Sequence, residues 1–504
     1  MFKRFLVMVL TIILLISTVA CNSSEKTVEN GALPKNVVSR VVKTEDGRSY
    51  IEHNGKPYLF YGTQLRIDNI RERYDADVAL IDKMFAKVKE DGFNTIVIPV
   101  KWYQIEPNKD EFDFALMDLY YNAVYKYDLT VQWLWFGTNV CGSGGCTPQY
   151  MKDASVYPRV TPPNGQSGVY FDYSSEVTLE REKYVLGKFM EYIAKRDTER
   201  RCVIIQVNNE VCHGGPVFDG GTDTWYKSEE LYYQYGWSGG QQLAGAKYLN
   251  ALGDVIHASD YNCVTRVNVM NDVWNVGGDL SDIILKGSGI DILGIDAYET
   301  TWYDIEGQMF GQNEGNIFHF AEASTAYDHS YTVVKFMAEG YGFLSYCYND
   351  YGAGDGGYYK IENGDLFAYN PKTNGSIEAV RKFNYMINKC KDELASAIAQ
   401  SCVAAFNYQQ KEDDVKVKRT FGDLTVTFEA KQKGYGLAFW LSEKEFIVMT
   451  NEDESEFAFG TQRVEKVEYG SFKDGKWVAE KCDATIRGNR VVIDGYKVTK
   501  VTIK

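Results

Sequence analysis

Two carboxylates stand where short apolar runs end. In Val203-Ile204-Ile205-Gln206-Val207-Asn208-Asn209-Glu210 the run closes on an amide and a carboxyl; in Ile317-Phe318-His319-Phe320-Ala321-Glu322 it closes on a carboxyl. The Asn-Glu pair recurs at Asn313-Glu314 and Asn451-Glu452, but only Asn209-Glu210 follows a strong strand pattern. Two carboxyls held at one site can cleave a glycosidic bond. One attacks the anomeric carbon; the other protonates the leaving oxygen and then activates water, and a separation of about 5–5.5 Å gives retention of configuration. The two roles need opposite protonation states, and charge on one carboxyl raises the pKa of its neighbour. The plainer alternatives are an exposed helix-start carboxylate for Glu210 and an ion pair at a strand end for Glu322.

The elements around these residues repeat. Apolar runs rich in β-branched and aromatic residues occur at Tyr58–Gly62, Thr95–Val100, Leu129–Trp135, Cys202–Val207, Val264–Val269, Ile290–Ile295, Asn316–Ala321 and Gly342–Cys347. Continuous apolar runs suit strands buried on both faces of a parallel sheet. Helical patterns lie between them: Ala76–Asp91, with Val78, Ile81, Met84, Phe85 and Val88 on one face, then Leu179–Arg196 and Ser376–Ile398. This alternation predicts a (β/α)8 TIM barrel, of class α/β. A doubly wound sheet is the rival, but no glycine fingerprint follows the first run. Glu210 ends the fourth strand and Glu322 the seventh, so both face one barrel mouth. The extra length lies at roughly 135–180 and 211–245, on the carboxyl-end face where barrel enzymes keep their sites. From about Ala399 the pattern changes to alternating strands, with Asp474-Gly475 and Gly488-Asn489 as hairpin turns. That predicts a small C-terminal antiparallel β-sandwich domain. The expected division is 41–398 for the barrel and 399–504 for the β domain.

Composition narrows the partners. Asp+Glu is 69 against Lys+Arg 54, a net charge of −15, which argues against nucleic acid because phosphate binding rests on Lys and Arg. Aromatics reach 14%, with 37 Tyr and 9 Trp, suiting a core or a surface that stacks on sugar rings. Neither HExxH nor CxxC occurs, so no metal site is expected, and glycoside hydrolysis by two carboxylates needs no cofactor. Cys141 and Cys146 flank a Gly-Ser-Gly-Gly loop, a spacing a disulfide can close in an oxidising compartment. At the N-terminus, Lys3 and Arg4 precede the apolar run Phe5–Ile16, which is shorter than the ~20 residues of a spanning helix. Thr18-Val19-Ala20-Cys21 then resembles a bacterial lipobox, with Thr18 where that pattern more often has Leu. The resemblance implies a lipoprotein signal peptide over 1–21, acylation of Cys21, a polar tether over 22–40 and membrane anchoring outside the cytoplasm. The alternative is an ordinary signal peptide cut near Ala20.

The order of motifs along the chain resembles the retaining β-glycosidases of clan A, the (β/α)8 glycoside hydrolases. Within them it is most similar to the β-galactosidase-type families 35 and 42. Trp102-Tyr103-Gln104-Ile105-Glu106-Pro107 followed by Phe112-Asp113-Phe114 is similar to their motif after strand two, and Gln206-Val207-Asn208-Asn209-Glu210 resembles the family-35 Gln-Val-Glu-Asn-Glu segment. Trp135-Phe136-Gly137 through Thr147-Pro148 to Tyr157-Pro158-Arg159 looks like their third-strand loop. The resemblance implies Glu210 as acid/base, Glu322 as nucleophile, Asn209 on the sugar 2-hydroxyl and Tyr298 on the nucleophile. Two departures stand out. Asn208 replaces a Glu that borders the sugar, and strand eight ends Ser345-Tyr346-Cys347-Tyr348 without the Trp that many members stack under the sugar. Tyr346 or Tyr348 is the substitute expected.

Position alone adds Arg66 after strand one, Trp135 and Asn139 after strand three, and Asn271 and Trp274 after strand five as pocket candidates. Trp102 and Glu106 either line the pocket or brace the mouth. The aromatic segment Trp225–Trp237 either stacks sugars or packs on itself. The expected activity is an exo-acting β-galactosidase on oligosaccharides or polysaccharides. The alternatives are an endo-β-mannanase or β-glucanase, and a carbohydrate-binding lipoprotein that does not catalyse.

Overall fold

A computed structural model describes residues 18–19, 34–44, 48–67, 78–138, 140, 144–159, 171–209, 244–269, 284, 287–297, 317–325, 333–334, 338, 342–350, 357–368, 377–408 and 417–504. Eight strands close into a barrel: Tyr61–Gln64, Thr95–Lys101, Thr130–Phe136, Cys202–Val207, Val264–Val269, Ile292–Ala297, Ile317–Ser324 and Gly342–Tyr346. Every neighbouring pair is parallel, and the eighth strand closes on the first through Phe343↔Tyr61 and Ser345↔Thr63. The TIM barrel expected from the sequence is therefore present.

Strand alternation sorts the side chains into two sets. Val97, Leu134, Ile204, Val264, Ile292 and Leu344 point inward and form a core inside the barrel. Ile96, Ile98, Trp133, Trp135, Ile205, Val267 and Phe343 point outward and pack with the helices. An N-terminal three-stranded antiparallel sheet, Ser39–Lys43, Ser49–His53 and Lys56–Tyr58, lies under the barrel. Its Ile51 joins the inner core. The Ser39 hydroxyl donates to the Val203 carbonyl at 2.5 Å and accepts from Val264 N at 2.9 Å, tying the sheet to the fourth and fifth strands.

Three sequence expectations are corrected. The run Tyr58–Gly62 divides: Tyr58 pairs with Ile51 in the lower sheet, and the barrel strand begins at Tyr61. Asn94 marks the division, donating to the Leu59 carbonyl at 2.6 Å and accepting from Tyr61 N at 3.3 Å. The helix Val78–Glu90 buries Leu80, Ile81, Met84, Phe85 and Val88, while Val78 is exposed because it opens the first turn. The pattern Ser376–Ile398 is two helices, Ile377–Asn388 and Lys391–Ala399. Between them the Lys389 carbonyl accepts from Phe472 N at 2.7 Å, a bond made to the C-terminal sheets.

Helix Glu176–Arg196 matters most for the site. Its first turn is capped by Ser175, whose side chain accepts from Thr178 N, and it buries Thr178, Glu182, Val185, Leu186, Phe189, Met190 and Ile193. A charged residue on an otherwise apolar stripe signals a buried polar contact. After the last helix come two antiparallel sheets. One has the order Val403–Tyr408, Gly434–Ser442, Glu445–Thr450, Thr499–Ile503, Val464–Lys473, Lys476–Glu480. The other has the order Val417–Phe421, Leu424–Glu429, Ser455–Phe459, Arg490–Ile493, Thr485–Arg487, with Thr18–Val19 beside its first strand. Phe406, Phe421, Phe428, Phe446, Phe457 and Phe459 fill the space between them, making the β-sandwich.

Candidate active site

The carboxyl ends of the fourth to seventh strands carry a buried polar constellation. Gln206, Arg266, Asn268, Asp296, Asn209 and Glu322 are all buried. Gln206 and Asn209 belong to the fourth strand and its end, Arg266 and Asn268 to the fifth, Asp296 to the sixth and Glu322 to the seventh. The period of two places Arg266 and Asn268 on the inward face with Val264, and Gln206 with Ile204.

The bonds run in one line. Arg266 donates through Nε to Gln206 Oε1 at 3.0 Å, and its Nη2 donates to the same oxygen. Gln206 Nε2 donates to Asn268 Oδ1 at 2.8 Å and to Asn209 Oδ1 at 3.0 Å. Asn268 Nδ2 donates to Asn209 Oδ1 at 3.0 Å and to Asp296 Oδ2 at 3.0 Å. Asp296 and Glu322 are register partners on adjacent strands, just past a bulge at Ile295/Asp296. Burial pushes the Arg266 guanidinium down to about 10, against the upward pull of the Asp296 and Glu322 carboxylates.

A second cluster stands behind the third and fourth strands. Glu182 accepts at Oε1 from Trp135 Nε1 at 2.9 Å and from Asn208 Nδ2 at 3.1 Å. At Oε2 it accepts from the Thr138 and Tyr248 hydroxyls, each at 2.7 Å. Burial raises the Glu182 pKa, while the bonds from Thr138, Tyr248 and Trp135 lower it in part. Gly137 has no room for a side chain, since a Cβ there would meet Glu182 Oε1 at 1.8 Å. Asn208 holds a left-handed backbone at φ 57, and its Oδ1 accepts from Gly137 N at 2.8 Å. The left-handed turn takes the chain off the strand directly before Asn209.

The residues expected to touch sugar therefore divide. Glu322 and Asn209 lie in the polar constellation. Arg66 and Tyr346 meet at the mouth: Arg66 Nη1 donates to the Tyr346 hydroxyl, Arg66 N donates to Asn349 Oδ1 at 3.0 Å, and Tyr346 stays partly exposed. Tyr348 is enclosed and donates to Asp91 at 2.8 Å, so of the two expected substitutes only Tyr346 reaches the mouth. Asn208 is turned into the Glu182 cluster, with both ends of its amide engaged. Trp135 faces outward, 6.0 Å from Phe189 on the helix, a correction to its placement in the pocket that the inward/outward alternation explains. Trp102 is fully buried and donates to Glu106 Oε2 at 2.7 Å. Glu106 also accepts from the Tyr150 hydroxyl at 2.6 Å, from Asp110 N at 2.7 Å and from Arg181. Of the two expectations for Trp102 and Glu106, the bracing one describes this geometry.

Glu210, Tyr298, Asn139, Asn271, Trp274, Cys21 and Cys141 lie outside the described residues, as do the aromatic segment and all of the leader but Thr18–Val19. Arg266 and Glu182 are the residues that sequence reasoning missed. Each interrupts an apolar pattern, Arg266 within Val264–Val269 and Glu182 on the stripe of its helix. Among the described residues no group of His, Cys, Asp and Glu is placed to hold a metal. A separate cleft of about 380 Å³ opens where the strands begin, lined by Lys89, Asn94, Asp128, Arg201, Asn388 and Lys391 among others.

No protein-family model and no curated protein matches the chain. Solved structures do. A β-galactosidase from Bacillus circulans sp. alkalophilus is 10% identical with a TM-score of 0.51, over 89% of this chain and 99% of its own. A catalytic mutant of a family 42 β-galactosidase from G. stearothermophilus is 9% identical with a TM-score of 0.50, over 89% and 98%. An exo-β-1,4-mannosidase from Opitutaceae bacterium strain TAV5 is 14% identical with a TM-score of 0.46, over 71% of this chain; the chain spans 63% of that protein's length. At such identities the first two likenesses establish a shared fold.

Proposed function

We propose that the chain is a retaining β-glycoside hydrolase, acting from the end of its glycan as a β-galactosidase. In this reading Glu322 is the nucleophile and Glu210 the acid/base. The observation that carries it is Glu322 at the carboxyl end of the seventh strand, buried, in register with Asp296 and in the field of Arg266. Asn209, which precedes Glu210, lies two residues past the end of the fourth strand of the same barrel. Two structures that share the fold over 89% of the chain are named β-galactosidases, which supports the choice of sugar.

A Glu322 oxygen attacks the anomeric carbon while Glu210 gives its proton to the departing oxygen, leaving a glycosyl ester on Glu322. Glu210, now a carboxylate, takes a proton from water; the water oxygen bonds to the anomeric carbon and the ester bond to Glu322 breaks. Asn209 Oδ1 accepts from Gln206 Nε2 and Asn268 Nδ2, so Nδ2 is the donating end of this amide, and in this reading the sugar 2-hydroxyl is among its acceptors. Arg66 and Tyr346 supply a polar group and an aromatic face at the mouth. The lipobox-like leader makes the substrate an extracytoplasmic oligosaccharide or polysaccharide, met by an enzyme tethered to the membrane through Cys21.

A second reading keeps the chemistry and changes the sugar. It is favoured by Asn208, whose amide is spent on Glu182 and Gly137 where the resembling enzymes set a Glu beside galactose. Residues 37–504 assayed on a panel of aryl β-glycosides, with Glu210→Gln and Glu322→Gln alongside, test both. Release from galactosides, lost in both variants, is the expected result. Release from another sugar selects the second reading, and activity untouched by either variant refutes the site.

A further inference from the structure

Glycoside hydrolysis by two carboxylates gives no task to the buried cation Arg266. Arg266 sits in the middle of the fifth strand, fully enclosed, and its Nη1 has no hydrogen-bond partner among the described residues. An arginine at such a place is costly unless something requires its charge. Among the described residues, the groups that face it are the Gln206 amide from the fourth strand, Asp296 from the sixth and Glu322 from the seventh. The eighth strand brings Tyr346, with Arg66 upon it, alongside Ser324.

Arginine only donates, and an ionised carboxylate only accepts. Arg266 therefore turns Gln206 Oε1 toward itself, which turns Gln206 Nε2 toward Asn268 and Asn209. Asn268 must then receive through Oδ1 and give through Nδ2, to Asn209 Oδ1 and to Asp296. Each amide between the arginine and Asp296 has one permitted orientation, and Asn209 is left with its Nδ2 end as a donor.

We propose that Arg266 is the positioning residue of the site: it fixes the direction of the amide relay Gln206–Asn268–Asn209 and stands as the permanent cation behind Glu322. Its bearing on a sugar rests on the glycosidase reading; the relay and the charge do not.

Arg266→Met, Arg266→Lys and Gln206→Glu test it, by pH profiles of kcat/KM on the preferred aryl β-glycoside and on its 2-deoxy analogue. Arg266→Met is expected to lower kcat/KM by about 10²-fold, the size of losing one positioned donor. Its acidic limb is expected to move up by about one pH unit, the least effect of removing a nearby cation from a carboxylate. The 2-deoxy analogue is expected to suffer less, so discrimination between the two substrates shrinks. Arg266→Lys keeps the charge and leaves the limb in place. Gln206→Glu keeps a partner for Arg266 but cannot donate, and it also shrinks the discrimination. A loss of activity with limb and discrimination both unchanged would mark mere packing and overturn the proposal. Thermal unfolding supplies an arm without substrate. The midpoint drop caused by Arg266→Met is expected to be smaller in Glu322→Gln and Asp296→Asn backgrounds, and equal drops would overturn the charge role. If the unaltered protein cleaves no glycoside, the glycosidase reading fails while this arm still decides for or against Arg266. If Arg266→Met does not fold, Arg266→Lys and Gln206→Glu carry the same comparisons.

Discussion

Replacing Glu182 by leucine removes the acceptor on which the ends of the third and fourth strands converge. Five donors would lose it: Trp135 Nε1, Asn208 Nδ2, the Thr138 and Tyr248 hydroxyls and, at the longer distance of 3.4 Å, Thr138 N. The hydroxyls can rotate to other acceptors. The indole N–H cannot, and the Asn208 amide is held in orientation by Gly137 N on its Oδ1. Each buried donor left unpaired costs about 1–3 kcal/mol, so the two closely bonded side-chain donors alone make Glu182→Leu about 2–6 kcal/mol less stable. Glu182→Gln keeps an acceptor at the Oε1 position, and its new amide can donate to the two hydroxyls. That variant is expected to lose less than about 2 kcal/mol. The pH dependence has a definite sign. Burial raises the folded-state pKa of Glu182 above its ordinary 4.5. A raised pKa gives a stability contribution that is complete below the unfolded value and fades as pH rises through the folded one. Glutamine does not titrate, so the advantage of the unaltered protein over Glu182→Gln should be larger at about pH 4 than at about pH 7. Urea unfolding followed by tryptophan fluorescence measures both, with Trp102, Trp133 and Trp135 reporting from the barrel. A leucine variant as stable as the glutamine variant, or an advantage that grows with pH, would refute the reasoning.

Other consequences are as direct. Gly137→Ala would put a Cβ 1.8 Å from Glu182 Oε1 and 2.6 Å from Trp135 Nε1, so it should lower the urea midpoint; an unchanged midpoint would disprove the close packing. Strain of this kind typically costs about 1–3 kcal/mol. Burial lowers the His53 pKa from 6.5 to about 4, outweighing nearby Asp197. A depressed histidine contributes stability that is present above the unfolded value and lost as pH falls toward the folded one, about 3 kcal/mol at most. His53→Gln should therefore flatten the fall in thermal midpoint on acidification through that interval, and an unchanged slope would count against it. Trp102→Phe removes one donor from Glu106 and should cost about 1 kcal/mol of stability. It should leave KM for aryl glycosides unchanged, and a raised KM would place Trp102 in the pocket after all.

The barrel was legible because its strands are buried on both faces and so write continuous apolar runs. Thr95–Lys101 and Cys202–Val207 are buried at every position. Where the environment differs, the pattern misleads. Tyr58 belongs to the sheet beneath the barrel, because a single apolar run carries no mark where the chain turns from one sheet into the next. The two helices at 377–399 share one period, and the break is imposed from outside by Phe472. Glu322 and Asn209 could be found because each closes an apolar run in the sequence. Arg266 and Glu182 were hidden because one charged residue in a strand or helix is ordinarily solvated, and its burial is a tertiary fact. Asn208 illustrates the same limit: its neighbour Asn209 turns into the polar constellation, while its own left-handed backbone sends the side chain to Glu182.

The central claim is a covalent glycosyl intermediate on Glu322. The direct measurement is to treat the protein with a 2-deoxy-2-fluoro aryl β-glycoside of the preferred sugar, digest it and locate the label by peptide mass. The expected result is one fluoroglycosyl group on the peptide carrying Glu322, with activity lost in step with labelling. A label on another residue, or turnover with inverted configuration and no label, would contradict it.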